Sequence, residues 1–286
     1  MAQVRKPTFA YLLLSEHPYG REMLRQILSA GFVPTIVISE DSAIADEERE
    51  KFLARIASNP IAPRIEEQLA QLERCGPPSN ITESIESAGS DQLDEPVESA
   101  ESTESYTKGS ASTGIIVPHV TVPIHNTEHV LPHIQDLDLD LIVFGGTRII
   151  RGQILDHPDD GVINSHPGLL PDCRGSASPA WSVYHDIPIG ASTHFCDNGI
   201  DTGELLLRRE FPVRRGMTYE DLCYETLVLA GVLMKEALLT YVAGEWPQMR
   251  RAQGESKHPT FRNAPEEVLE VVRTKLDEQT YAHYVD

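Results

Sequence analysis

Residues 8–15, Thr-Phe-Ala-Tyr-Leu-Leu-Leu-Ser, decide the fold. The apolar run is too short for a helix and reads as a buried strand. After His17-Pro18-Tyr19-Gly20 comes REMLRQILSAG (21–31), where Met23, Leu24, Ile27 and Leu28 fall at helical spacing and Gly31 is placed to stop the helix. VPTIVIS (33–39) is rich in β-branched residues and reads as a second strand. Strand, helix, strand opens a doubly wound α/β architecture: a Rossmann-like, mostly parallel twisted sheet flanked by helices.

Residues 42–75 read as charged helix. Residues 76–114 break the pattern, with eight acids against the single base Lys108 in a background of Ser, Thr and Gly. Such a segment buries too little apolar area to offset its ordering entropy, so 76–113 is expected to be a disordered acidic insert. Beyond it, IIVPHVTVP (115–123) suggests a strand edge and HNTEHVLPHIQ a short helix. DLIVFGG (140–146) has the continuous apolar character of a central parallel strand, and RIIRGQIL a helical turn or two. GVINSHP (161–167), IPIGASTHF (187–195) and ELLLRREFPV (204–213) read as strands, and 178–186 as a helix. Residues 218–243 form a long helix, with Thr218 and Asp221 spaced as a capping box. The expected division is a catalytic domain over 1–245 and a short, weakly patterned C-terminal tail over 246–286.

The 286 residues carry 24 Lys plus Arg against 44 Asp plus Glu, a formal charge of −20. This balance argues against a phosphate-backbone partner and against docking on an anionic membrane. There is no apolar run of membrane-spanning length and no secretory signal pattern, and the four cysteines form no C-x-x-C, so a cytoplasmic protein with reduced thiols is expected.

The chemistry concentrates between 161 and 207. Asn164 and His166 are two apart on a strand, so they project from one face, and Pro167 ends that strand. Asn198-Gly199-Ile200-Asp201-Thr202-Gly203 is a tight loop holding a single acid, its glycines suited to positive φ and close approach to a ligand. An Asn amide donating to an oxyanion, a His moving a proton and an Asp orienting the His suit acyl transfer to an amine, although an Asn-x-His strand is more often structural.

Asn164-Ser165-His166-Pro167-Gly168-Leu169-Leu170-Pro171, then Arg174-Gly175, Gly190-x-x-Thr193-His194 and Gly199-Ile200-Asp201-Thr202-Gly203 together resemble the 10-formyltetrahydrofolate-dependent formyltransferase family. Order and spacing fit over about 140–245. The resemblance implies a formyltransferase fold and a catalytic set of Asn164, His166 and Asp201. It implies folate contacts by Arg148, Ile149, Ile150, Asp197, Asn198 and Gly199, and a substrate loop with Leu170, Pro171, Arg174 and Gly175; Arg174 either contacts ligand or only pins that loop. The implied cosubstrate is 10-formyltetrahydrofolate, with no metal. Departures narrow the acceptor. Ser15-Glu16-His17-Pro18-Tyr19 replaces the glycine-rich phosphate loop of the purine-pathway member, which argues against glycinamide ribonucleotide. The charge and the short remainder after the helix argue against transfer RNA. Cys173 replaces a common aromatic.

The expected activity is formyl transfer to the amine of a small metabolite, an amino sugar nucleotide or an amino-acid-derived amine. A formyltetrahydrofolate hydrolase would use the same three residues, and an idle folate-binding scaffold is the reading from another class. His125, His129 and His133 are spaced to share a helical face but are expected to be exposed and metal-free, with Pro132 disturbing the helix. His194 is expected to support rather than catalyse, and Cys173 and Cys196 to be buried small hydrophobes. Whether the chain forms a homodimer is left open.

Overall fold

The computed structural model describes residues 5–15, 17–56 and 117–285. The expected insert at 76–113, most of its helical approach and the glutamate at 16 lie outside the described residues.

The first unit is β1 (Phe9–Leu14), α1 (Pro18–Ser29) and β2 (Ile36–Glu40), as the opening stretch predicts. β2 begins three residues later than the sequence suggests, beyond Pro34, which has no N–H to give a strand ladder. α2 (Ala43–Ile56), β3 (His119–Val122), α3 (Thr127–Ile134), β4 (Leu141–Gly145), α4 (Gln153–Asp156) and β5 (Gly161–His166) follow. Then come α5 (Ser178–Tyr184), β6 (Gly190–Phe195), β7 (Leu205–Glu210), α6 (Tyr219–Val242), α7 (Trp246–Met249) and α8 (Glu266–Asp277). The strands form one seven-stranded sheet in the order β3-β2-β1-β4-β5-β6-β7. All pairs from β3 to β5 are parallel, while β5–β6 and β6–β7 are antiparallel.

The period of two along a strand divides the core. Phe9, Tyr11 and Leu13 of β1 pack with Met23 and Ile27 of α1 and with Met234 and Leu238 of α6 on one face. Ala10 and Leu12 pack with Val130 and Ile134 of α3 and Ile154 of α4 on the other. Side chains of this kind contribute about 1.5–3 kcal/mol each when fully buried, so burial on both faces fixes strand register.

Thr218 caps α6 as its spacing predicts: its hydroxyl accepts from Asp221 N at 3.2 Å, and its own N–H donates to Asp221 Oδ2 at 2.9 Å. Pro132 sits inside α3 without ending it. In a helix of eight residues its missing N–H removes a single backbone bond. His125 precedes α3 and is buried, contrary to expectation, because its backbone N–H donates to the buried carboxylate of Glu40 at 2.9 Å.

The weakly patterned final forty residues are ordered over 246–285 and packed on the domain. Leu269, Val272 and Leu276 of α8 join Ala180 and Val183 of α5 and Leu222 of α6 in a third apolar cluster. Among the described residues no helix is long and apolar enough to cross a membrane.

Candidate active site

Because β1 has β2 on one side and β4 on the other, the chain turns in opposite directions on leaving these neighbours, and a crevice opens beyond their carboxyl ends. A cleft of about 780 Å³ lies there, reaching from His17 and Tyr19 past Asn164 and His166 to Phe261.

β5 and β6 supply its chemistry. Antiparallel register sets Asn164 directly opposite His194, and their side chains meet at 3.4 Å between Asn164 Nδ2 and His194 Nε2. His166, at the end of β5, is 5% exposed. Its Nε2 lies 2.8 Å from the Cys173 carbonyl and 3.0 Å from Ser178 Oγ. With Nε2–H donating to that carbonyl, Nδ1 faces Asp201 Oδ2 at 3.5 Å. His194, 2% exposed, directs Nδ1 to the Phe195 carbonyl at 2.8 Å and Nε2 to Asp201 Oδ1 at 3.5 Å. One carboxylate is thus held between two imidazoles.

Asp201 is placed by its own turn. The positive φ expected of the flanking glycines belongs to Asp201 itself, at +53°. The glycines serve close approach within the chain: a Cβ on Gly203 would run into the Phe195 carbonyl, and one on Gly199 into the Thr202 hydroxyl. Asp197 Oδ1 closes the turn by accepting from Gly199 N at 3.0 Å and Thr202 Oγ1 at 2.5 Å. The N–H of Gly175 donates to Asp201 Oδ2 at 2.8 Å. Burial alone would raise the Asp201 carboxyl; the neighbouring His166, the charge and contact of His194, and the Gly175 amide outweigh it and hold the group well below the usual carboxylate range. Asp201 therefore remains an anion across the working pH range, better suited to hold a cationic partner than to keep a proton.

Of the residues singled out in the sequence, Asn164, His166 and Asp201 come together in the cleft, and Arg148, Ile149, Ile150, Asp197, Gly199 and Gly175 line it. Residues 147–150 are neither helix nor strand, and Ile149 is 60% exposed there. The helical turn expected from residue 148 begins only at Gln153, after Gly152 at φ +81°. An irregular segment with an exposed apolar side chain can offer edge groups and a flat contact to a heteroaromatic ring. Arg148 also lies 3.4 Å from the buried Glu40 carboxylate.

Asn198, Leu170, Pro171 and Arg174 are not on the cleft wall. The Asn198 carbonyl accepts from Arg151 Nε at 3.2 Å. Leu170 is fully buried, with its N–H on Ser192 Oγ at 3.0 Å, and Pro171 follows a cis peptide bond. Arg174 pins its loop by donating to Gln253 Oε1 from Nη2 at 2.8 Å and Nε at 3.2 Å. Cys173 is buried, which pushes its thiol up to about 11, whereas Cys196 is only half-buried and lines the cleft, contrary to expectation. Among the described residues no group of three or more His, Cys, Asp or Glu is arranged to hold a metal ion.

His194, expected as a support residue, is one: buried, it is held by the Phe195 carbonyl and faces the carboxylate. Two contributors escape the sequence reading. Tyr19 reaches from the start of α1 to donate its hydroxyl to the Ser165 carbonyl. Phe261, Arg262 and Asn263 close one end of the cleft, with the Phe261 N–H donating to the Arg174 carbonyl at 2.8 Å. Only Tyr19 had a signal, because the turn after the first strand of such a sheet borders the crevice.

Comparison with known proteins agrees with the motif order. Residues 100–238 match the model of the formyl transferase family. The chain is 36% identical over 115 residues to the methionyl-tRNA formyltransferase of Ruminiclostridium cellulolyticum, covering 40% of this chain and 37% of that protein. It is 36% identical over 107 residues to that of Syntrophus aciditrophicus, covering 36% of this chain and 34% of that protein. The match thus spans little more than a third of these curated relatives. Among solved structures, a sugar N-formyltransferase from Shewanella sp FDAARGOS_354 superposes with a TM-score of 0.52 at 15% identity, covering 91% of this chain and 78% of that one. Glycinamide ribonucleotide transformylase 1 from Symbiobacterium toebii gives 0.51 at 16% identity, covering 86% and 91%. These likenesses show the shared fold.

Proposed function

We propose, for a chain that carries a formyl transferase domain over residues 100–238, that the cleft moves a formyl group from 10-formyltetrahydrofolate to the amine of a small molecule. The observation that carries the reading is the anionic Asp201 held between His166 and His194, with the Asn164 amide beside them at the carboxyl end of the sheet. The acceptor amine attacks the formyl carbon. The Asn164 amide donates a hydrogen bond to the oxygen as it gains charge, and His166, whose Nε2–H is held by the Cys173 carbonyl, adds a second donor only when Nδ1 is protonated beside Asp201. Asp201, ionised, steadies the cationic nitrogen and the imidazole while the proton leaves toward the departing folate nitrogen. The irregular 147–150 segment and the 197–201 turn form the folate wall. Supporting this reading, the exposed Ile149 and the turn residues Asp197, Gly199 and Asp201 line the same cleft.

An amino sugar nucleotide or an amino-acid-derived amine suits this reading better than transfer RNA. Although the matching relatives are named for methionyl-tRNA, a formal charge of −20 repels a polyanion. The test is to incubate the protein with 10-formyltetrahydrofolate and follow tetrahydrofolate release, with and without a small-molecule cell extract, using Asp201→Ala as control. Release that needs the extract, with a formylated amine found by mass spectrometry, is the expected result. Release without extract means water is the acceptor, and release only on adding charged initiator tRNA would overturn the small-molecule assignment.

A further inference from the structure

We propose that Gln253 is a positioning residue for Asp201, which makes the segment between α7 and α8 part of the catalytic apparatus. The proposal rests on the reading that Asp201 works in formyl transfer. A side-chain amide has two N–H donors and two acceptor lone pairs, and Gln253 spends all of them here. Its Nε2 donates to the carbonyls of Asp201 at 2.9 Å and Gly203 at 2.7 Å. Its Oε1 accepts from Arg174 Nη2 at 2.8 Å and Nε at 3.2 Å. One end of the amide therefore grips the turn that carries the carboxylate. The other grips the loop whose next residue, Gly175, puts its N–H on Asp201 Oδ2.

Two further facts separate this from ordinary packing. Asp201 stands at φ +53°, a region that a residue with a Cβ occupies at a cost and keeps only when its surroundings hold it. Gln253 holds that residue at its own carbonyl. The segment bearing Gln253 is also anchored on both sides without its help. Arg251 and Leu205 exchange backbone bonds at 2.8 and 3.1 Å, and Phe261 N–H donates to the Arg174 carbonyl at 2.8 Å. Removing the Gln253 amide should leave the segment docked and release the turn. A displacement of about 1 Å in a catalytic group costs on the order of 10²-fold in rate.

Two substitutions in the full chain test this. Gln253→Met keeps the bulk and loses every bond. Gln253→Glu keeps a partner for Arg174 but sets oxygen against the carbonyls of Asp201 and Gly203. With tetrahydrofolate release as the assay, kcat should fall about 10- to 100-fold in both, with KM for 10-formyltetrahydrofolate close to wild type and the protein folded at the assay temperature, although its melting temperature falls with the lost bonds. Nitrogen-15 NMR of the histidine rings supplies a readout that needs no turnover: the His166 and His194 signals in Gln253→Glu should move toward their positions in Asp201→Asn. A kcat within twofold of wild type in either folded variant, or unchanged ring signals, overturns the proposal. If Gln253→Met does not fold, Gln253→Glu decides. If the wild-type protein transfers no formyl group, the functional reading fails, while the ring signals still decide whether Gln253 positions Asp201.

Discussion

Replacing Gly175 by alanine should damage stability and turnover together, because this glycine joins the C-terminal segment to the carboxylate. Its φ is +94°, a conformation that costs a residue with a Cβ about 1–3 kcal/mol. There is also no room for the new atom, since it would run into the backbone carbonyl of Phe261. That carbonyl accepts from Ser176 N at 3.1 Å, and the Phe261 N–H donates to the Arg174 carbonyl at 2.8 Å, so relieving the clash stretches both bonds. At about 0.5–1.5 kcal/mol each, these add about 1–3 kcal/mol, for a combined loss of about 2–6 kcal/mol. Urea unfolding by linear extrapolation resolves a change of this size, a large share of the stability of a typical domain. Turnover should fall as well, because the Gly175 N–H that meets Asp201 Oδ2 shifts with its residue. A stability change below about 0.5 kcal/mol with full turnover would refute both the strain argument and the coupling of this loop to the site.

Asp201→Asn keeps an acceptor for the Gly175 amide but removes the charge between the imidazoles; kcat for tetrahydrofolate release should fall about 10²–10⁴-fold in a folded protein, and a loss under tenfold would mean that the charge is not used. His17 caps α1 through Nδ1, which accepts from Tyr19 N at 3.2 Å and so must be unprotonated. Burial first, and the Arg49 charge second, lower its pKa from 6.5 to about 4, so the folded state prefers the neutral ring. The stability this supplies is complete above pH 6.5 and is lost as pH falls toward 4; between pH 7 and pH 5 the loss is about 2 kcal/mol, and His17→Asn, which keeps a cap acceptor, should flatten that slope in unfolding measurements. Thr218→Ala removes the capping-box hydroxyl from α6 and should cost about 1 kcal/mol with no change in turnover, measured by chemical unfolding beside the activity assay.

What could be read from the sequence was what a short window contains. β1 and β4 announce themselves as apolar runs, and the two-residue spacing of Asn164 and His166 in β5 puts both on one face whatever pairs with the strand. The same holds for Thr218 and Asp221, whose capping geometry spans three residues. His194 shows the first limit. Its facing of Asn164 depends on the antiparallel register of β5 and β6, which no single strand reveals. The Asp201 turn shows a second: its glycines were legible, but the chain contacts that require them, against Phe195 and Thr202, appear only once the loop is folded. In the tail, Leu269, Val272 and Leu276 did carry a helical spacing, diluted by the charges around them.

Gln253 marks the furthest limit, and it says how this site is built. It lies 52 residues from the Asp201 carbonyl it holds and 79 from the Arg174 it accepts from. Such bonds leave no periodicity, because each side requires only one residue of the right type at one place. The reacting groups sit on strands, where local pattern and register fix their direction. The turn that carries Asp201 closes on itself through Asp197, and contacts from distant segments, the Gln253 amide and the Gly175 N–H, add to that hold only in the folded chain. A site arranged in this way couples its chemistry to complete folding, since the Gln253 bonds to the Asp201 turn form only once the segment beyond α7 has docked on the 174–176 loop.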